Sequence, residues 1–132
     1  MKTYVLDAGA LVAHLLHEPS APVVERILYG ADWERPVLMS AVNWGEVYLA
    51  VWRVRGEQIA GMVQKAYQAF PLRVRSVQPE DALAAARLRA RTRLPYADCF
   101  AVTLAQQAGA TLVIKDSDFK VVQQEVDLLW LK

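Results

Sequence analysis

Acidic residues follow two short apolar runs of this sequence, at the points where buried strands are expected to end. Asp7 follows the run at residues 3–6, and Asp116 and Asp118 follow the run at 111–114. Short apolar runs bounded by turns are typical of strands covered on both faces, as in parallel sheets. The carboxyl ends of such strands form the crevice in which open α/β sheets bind ligands. The sequence therefore predicts that these acids share one crevice.

Two further acids lie on predicted helices that can reach this crevice. Asp98 falls in the first turn of a helix over residues 97–108, and Glu46 lies within the apolar segment 41–56. An ionised carboxylate in an apolar helix is costly unless it is paired or bound to a cation. Asn43 lies on the same helical face as Glu46 and is a candidate partner. The alternatives are an exposed position or an ion pair with Arg53 or Arg55.

Crowding of these carboxylates suggests a bound cation. Two carboxylates about 5 Å apart repel each other by roughly 3 kcal/mol at an effective dielectric constant near 20. The chain has a single cysteine, Cys99, and its two histidines, His14 and His17, are interpreted as structural or surface residues. An all-oxygen ligand set favours Mg²⁺ or Mn²⁺ over zinc. Such ions activate water and polarise phosphoryl oxygens. For Asp7 the alternative role is the N-cap of the next helix.

The elements that must position these acids alternate along the chain. The sequence predicts strands at 3–6, 36–39, 71–77, 111–114 and 127–131, the last of them at an edge. It predicts helices beginning after Asp7, Pro22, Ser40, Gly56, Gln78 and Tyr96. The helix of 41–56 is predicted to be largely buried, and that of 57–70 to be amphipathic, with its apolar side in the core. This order indicates an α/β fold, a three-layer α/β/α sandwich with a mainly parallel central sheet.

Length and composition bound the class of protein. A chain of 132 residues is expected to form one domain, residues 1–132, with a single core. One cysteine and the lack of an apolar leader before Asp7 favour a reducing, cytoplasmic setting without a membrane anchor. The net charge of +1 excludes a global basic field, so any nucleic-acid contact must be local. A hydrophobic fraction of 55% hints that a partner covers some surface.

A local cluster of arginines directly precedes the segment around Asp98. Their spacing of two residues spreads them around a helix rather than along one side. They are candidates for binding RNA phosphates, and the alternative is a solvated helix end whose cations favour the negative terminus of the helix dipole. The four residues are Arg87, Arg89, Arg91 and Arg93.

Four motifs in order resemble the PIN-domain ribonucleases, and among them the VapC-type toxins of toxin–antitoxin pairs. The motifs are YVLDAGALV, SAVNWGEVYLAV, LPYADCFAVTLA and TLVIKDSDF. The resemblance implies a PIN-like fold and an endoribonuclease that uses one or two Mg²⁺ or Mn²⁺ ions. By this resemblance the metal-binding catalytic acids are Asp7, Glu46, Asp98 and Asp116.

Further residues of the family pattern have supporting positions here. Asp118 falls in the closing Asp-Phe element, where it is either a ligand or a support of the loop. Lys115 occupies the place where the family usually has Thr or Ser, and Ser117 is the candidate for supplying that hydroxyl. Ser40 and Asn43 are predicted to support the acidic set from the third helix.

The resemblance also implies a homodimer and a VapB-type antitoxin that blocks the crevice. Three other interpretations are possible. The first is a catalytically silent PIN-like module that binds RNA or protein, and the second is a housekeeping PIN nuclease without an antitoxin. A phosphatase of the haloacid-dehalogenase type is disfavoured, because the second acid it requires is replaced by Gly9.

Overall fold

A five-stranded sheet forms the centre of the molecule. The structure is a computed structural model, and it describes residues 2–132. The strand order is β3-β2-β1-β4-β5, and every neighbouring pair is parallel. The predicted parallel sheet is confirmed, and the closing strand lies at an edge as expected. The strands are β1 (Tyr4–Leu6), β2 (Val37–Ser40), β3 (Leu72–Arg75), β4 (Thr111–Ile114) and β5 (Leu128–Trp130).

Helices cover both faces of the sheet and so form the predicted three layers. Val5, Leu112 and Ile114 pack in one core with α5 and α6, whereas Leu6 and Val113 pack in a second core with α1 to α4. Alternate residues of β1 and β4 therefore face opposite cores, which explains why consecutive residues are apolar in both strands, at positions 4–6 and 112–114. The helices are α1 (Ala8–Leu15), α2 (Ala21–Gly30), α3 (Ala41–Arg55), α4 (Glu57–Tyr67), α5 (Pro79–Arg91) and α6 (Tyr96–Ala108).

The register between β1 and β4 brings their carboxyl ends to the same edge. Leu6 pairs with Val113, and the Asp7 amide donates to the Val113 carbonyl at 3.3 Å. The sequence did not predict the next element, a 3-10 helix at Ser117–Val122. Its short turns hold residues 116 to 118 beside this edge.

The third helix is less buried than predicted, and part of the apolar side predicted for the fourth helix is exposed. In α3 only Asn43, Val47 and Val51 are buried, and in α4 only Ala60 and Tyr67. The reason is that each of these helices meets the sheet or its neighbour along one stripe. Large apolar side chains on the remaining faces are at least 40% exposed, namely Leu49, Trp52, Val54, Ile59 and Met62.

A left-handed residue ends α1. His17 has a φ of 54°, its amide donates to the His14 carbonyl at 3.3 Å, and the Glu18 amide donates to the Ala13 carbonyl at 3.0 Å. These two bonds form a Schellman motif, in which glycine is the usual left-handed residue. The turn fixes the direction in which the chain leaves the helix at Glu18.

No helix among residues 2–132 combines the length and hydrophobicity needed to cross a membrane.

Candidate metal centre

The structure brings the four predicted acids together in one cleft at the carboxyl edge of the sheet. The cleft has a volume of about 450 Å³. Asp7 ends β1, Glu46 projects from α3, Asp98 lies in the first turn of α6, and Asp116 follows β4. Side chains separated by up to 109 positions in sequence therefore face one volume of solvent.

Asp7 is the most buried of the four, with 4% of its surface exposed. Its Oδ1 accepts a hydrogen bond from the Ala10 amide at 2.8 Å, so it is the N-cap of α1 as well as a cleft residue. Burial raises the pKa of this carboxyl from 3.8 to about 7, against the lowering effect of the Ala10 bond. The negative charges of Asp98, Glu46 and Asp116 contribute smaller parts of this rise in the pKa.

Asp98 shows the same electrostatic conflict at a half-buried position. Burial, followed by the charges of Glu46, Asp116 and Asp118, raises its pKa from 3.8 to about 6. Within residues 2–132, none of the four cleft acids forms an ion pair with a lysine, arginine or histidine. The acids therefore repel one another without a compensating cationic side chain.

Glu46 is held by the predicted neighbour on its own helix. Asn43 is completely buried, and its Nδ2 donates to Glu46 Oε1 at 2.9 Å and to the carbonyl of Ala97 at 3.1 Å. The alternative of an arginine ion pair for Glu46 is wrong for the described residues. Because Ala97 directly precedes Asp98, this one amide group links the segments that carry two of the acids.

The loop after β4 orients Asp116. Its side chain caps the 3-10 helix by accepting a hydrogen bond from the Asp118 amide at 2.9 Å. Asp118 and Ser117 are exposed and lie outside the residues that line the cleft, although the charge of Asp118 acts on Asp98. Ser40 lies at the start of α3, where its Oγ accepts a hydrogen bond from the Val42 amide at 3.2 Å.

The predicted phosphate-binding arginines do not line the cleft. All four are exposed at the end of α5 or just beyond it. Arg91 forms a two-bond ion pair with Glu125, and Arg89 Nη1 donates to the carbonyl of Thr92 at 3.0 Å. The alternative of a solvated helix end describes these positions, and any phosphate contact they make would lie outside the cleft. Arg87 and Arg93 therefore remain candidates only for phosphate contacts outside the cleft.

The histidines also lie outside the cleft lining, as structural or surface residues are expected to do. His14 Nδ1 is 2.7 Å from the hydroxyl of Tyr67, and its Nε2 is 3.7 Å from Glu25 Oε1. His17 is exposed in the turn after α1.

Sequence reasoning missed one ion pair at the cleft. Lys115 lines the cleft beside Asp116, and its Nζ pairs with the carboxylate of Glu18 from the turn after α1. The two residues are distant in sequence and share no motif. The one sequence feature that indicated a place for Lys115 at the cleft was its position directly before Asp116, a predicted ligand.

The donor chemistry of the cleft fits a hard divalent cation. Four carboxylates without basic partners are the oxygen ligands that Mg²⁺ and Mn²⁺ prefer. Among the described residues, no three acid, histidine or cysteine side chains already stand in a metal-binding arrangement. The carboxylates thus supply the right atoms, and their side chains would have to close around an ion.

Comparison with known families gives one match that covers most of the chain. Residues 4–125 match the PIN domain family. No curated protein sequence matches the chain.

Several solved structures have the same fold as this chain. DNA-bound VapBC from Salmonella typhimurium has a TM-score of 0.75 at 14% identity, covering 98% of each chain. VapBC2 from Rickettsia felis, bound to a promoter fragment, has a TM-score of 0.74 at 16% identity, covering 98% of this chain and 99% of that one. Mycobacterium tuberculosis VapC20, a Sarcin-Ricin loop cleaving toxin, has a TM-score of 0.73 at 14% identity, covering 91% and 95%. At such low sequence identities, the structural similarity shows a shared fold.

Proposed function

The chain belongs to the PIN-domain family, and from that premise we propose that it is a Mg²⁺- or Mn²⁺-dependent endoribonuclease of the VapC toxin type. The proposed reaction is hydrolysis of an RNA phosphodiester bond by water. One observation carries the proposal: four carboxylates from four separate segments line one cleft, and within residues 2–132 none of them forms an ion pair with a basic side chain. Retaining such repulsion is costly unless the cleft binds a cation.

The residues have different parts in the proposed reaction. Asp7, Glu46, Asp98 and Asp116 would hold one or two ions. A bound divalent ion would lower the pKa of water and polarise the phosphoryl oxygens of the substrate. Asp7 is a rigid member of the set, because its Oδ1 is bonded to the Ala10 amide at 2.8 Å.

Neighbouring side chains orient the acids. The Asn43 amide, buried against Ala97, holds one oxygen of Glu46 and limits the rotamers of that side chain. The 3-10 helix does the same for Asp116 through the Asp118 amide. Such supporting hydrogen bonds are what keep ligands in place at catalytic metal sites.

RNA as the substrate is supported by the fold and by one relative. Mycobacterium tuberculosis VapC20, which shares the fold, is described as a toxin that cleaves the sarcin–ricin loop. We propose a cytoplasmic site of action, where such substrates are found.

The decisive experiment is RNA cleavage by an Asp98→Asn variant. We expect the parent to cleave single-stranded RNA in Mn²⁺ or Mg²⁺ but not in EDTA. Asp98→Asn should lower the cleavage rate by at least about a hundredfold, because it removes a charged ligand without changing side-chain size. Glu80→Gln, an exposed acid of α5, is the charge-matched control and should cleave at the parental rate.

The outcomes of that experiment separate the alternatives. Cleavage by Asp98→Asn at the parental rate would mean that Asp98 is not a ligand. A parent that binds RNA but never cleaves it with either ion would favour a catalytically silent binding module.

We also propose that the chain forms a homodimer and binds a VapB-type antitoxin. Several large apolar side chains of α3 and α4 are exposed, among them Trp52 and Met62, and a partner that covered them would remove apolar surface from water. One solved structure with the same fold is a toxin–antitoxin complex from Klebsiella pneumoniae. Sedimentation equilibrium of the chain alone tests the dimer, and a monomer at micromolar concentration would contradict it. A nuclease that no small DNA-binding protein inhibits would instead be a housekeeping enzyme.

A further inference from the structure

Lys115 is the one basic residue among the described side chains that line the acidic cleft. It directly precedes Asp116, and 42% of its side chain is exposed. Its ammonium group pairs with Glu18 rather than with any of the four cleft acids. The positive charge is therefore present at the cleft but is kept from the carboxylates that would otherwise attract it.

The backbone of α1 fixes the position of Glu18. The Schellman motif at His17 turns the chain sharply, and the bond from the Glu18 amide to the Ala13 carbonyl at 3.0 Å anchors the residue. The Glu18 side chain is 27% exposed, so it is more enclosed than the lysine that it binds. The acid is thus the fixed member of the pair, and the lysine is the member that can move.

The lysine end of this pair is in contact with solvent, which weakens the attraction between the two charges. Lys115 can therefore exchange its partner at a limited cost. A phosphate oxygen entering the cleft would give Lys115 an alternative anionic partner, and lysine is a common phosphate ligand. If Glu18 were absent, the ammonium group would compete with a cation for the oxygens of Asp116 and its neighbours.

We propose that Lys115 binds a phosphate of the RNA substrate and that Glu18 holds its ammonium group off the cleft acids until RNA displaces it. This inference rests on the proposed ribonuclease function. It assigns to Lys115 a substrate-binding role and to Glu18 a positioning role. The salt bridge observed in the free chain is the resting state of this exchange.

Binding of RNA without cleavage tests the role of Lys115. The measurement is fluorescence anisotropy of a labelled single-stranded RNA with the Asp98→Asn protein in Mg²⁺, at several salt concentrations. Adding Lys115→Ala should weaken binding about three- to tenfold and lower the slope of log K against log salt by about 0.7, as expected for one lost phosphate contact. Lys115→Arg should retain most of the affinity. Lys65→Ala, an exposed lysine of α4, is the charge-matched control and should match the parent.

A double-mutant cycle tests the role of Glu18. Glu18→Gln should tighten RNA binding, because it frees Lys115, and this gain should vanish when Lys115→Ala is also present. Glu34→Gln, an exposed acid in the loop before β2, controls for the general change in charge. A gain of equal size with and without Lys115 would overturn the exchange.

The outcomes distinguish this inference from the proposed function. If the parent cleaves RNA but Lys115→Ala binds RNA as the parent does, the inference is wrong and the function stands. If RNA binding depends on Lys115 but the parent never cleaves, the nuclease proposal is wrong and the phosphate contact stands. A parent that binds no RNA overturns both.

Discussion

At the scale of single residues, Asp7 combines two roles that conflict when no cation is bound. Its carboxylate caps α1 through the Ala10 amide, which favours the ionised form. Its burial and the neighbouring acids favour the protonated form. Their effect is the larger one, since the pKa rises from 3.8 to about 7. At neutral pH this residue is therefore poised between protonation and binding a cation.

The raised pKa of Asp7 predicts an unusual pH dependence of stability in EDTA. Between pH 3.8 and about 7 the folded chain retains a proton that the unfolded chain has lost. The contribution of Asp7 to the free energy of unfolding is thus complete below pH 4 and falls as the pH rises through 7, by at most about 4 kcal/mol. Asp7→Asn keeps a capping group but cannot ionise. Relative to the parent, we expect it to gain stability in urea denaturation between pH 4 and about pH 7, and the gain should level off above that pH.

Asp7→Ala is the matched control for the cap. Loss of the hydrogen bond to Ala10 should cost about 1 kcal/mol relative to Asp7→Asn at every pH. A constant difference between the parent and Asp7→Asn across pH 4 to 8 would mean that the carboxyl titrates alike in the folded and unfolded chains.

At the scale of elements, strands and helices meet at a single capping residue. Asp7 ends β1 and caps α1, and Ser40 ends β2 and caps α3. These abrupt junctions aim the start of each helix at the carboxyl edge of the sheet, where the cleft lies. The end of α1 is built with more strain, because His17 adopts a left-handed φ of 54°.

This strained turn predicts a stabilising substitution. Left-handed backbone costs a non-glycine residue about 1 kcal/mol or more, and glycine avoids that cost while losing some entropy on folding. The His17 side chain is exposed, so little packing is lost. We expect His17→Gly to raise the free energy of unfolding by roughly 0.5 kcal/mol in urea denaturation. Gly109→Ala, at a φ of 61°, should have the opposite sign, and a loss of stability in His17→Gly would show that its side chain contributes.

Local pattern was sufficient to predict most elements and the convergence of the acids. Apolar runs that end in Asp7 and Asp116 indicated parallel strands, and topology then placed their ends together. The 3-10 helix was missed because its turns lack the 3.6-residue period, although Phe119 and Val122 are buried three positions apart. The burial of α3 was overestimated because an apolar face looks the same in sequence whether it meets the core or lies exposed, as Trp52 does.

The pairing of Lys115 with Glu18 could not be predicted from the sequence either. It depends on the direction of one turn after α1, and a single sequence contains no signal for contacts between distant surface residues. The same limit explains the arginines of α5, whose spacing was visible but whose distance from the cleft was not.

At the scale of the whole molecule, the metal-free fold includes repulsion that a cation should relieve. The acids come from β1, α3, α6 and the segment after β4, so a bound ion would cross-link much of the chain. A ligand that binds only the folded state stabilises it in proportion to the logarithm of its concentration over Kd.

Divalent ions are therefore expected to raise the melting temperature. Mn²⁺ at about 100 times its Kd should add roughly 2.7 kcal/mol to the stability of the parent. At a fixed concentration of Mn²⁺, the increase in melting temperature should be larger at pH 8 than at pH 6. The reason is that protons compete with the ion for Asp7 and Asp98, whose pKa values are about 7 and about 6. Differential scanning fluorimetry of the parent and of Asp7→Asn/Asp98→Asn measures this. Equal increases in both proteins would count against the site.

The first strand made is the central strand of the sheet, and one of its two neighbours is β4, near the other end of the chain. While the chain is being synthesised, Asp7 and Glu46 leave the exit tunnel long before Asp98 and Asp116 do. A nascent polypeptide consequently has only two of the four cleft acids available, and β1 still lacks its neighbour β4. Under the ribonuclease function proposed above, this order of assembly would keep the acidic cleft incomplete while the ribosome is still translating the chain.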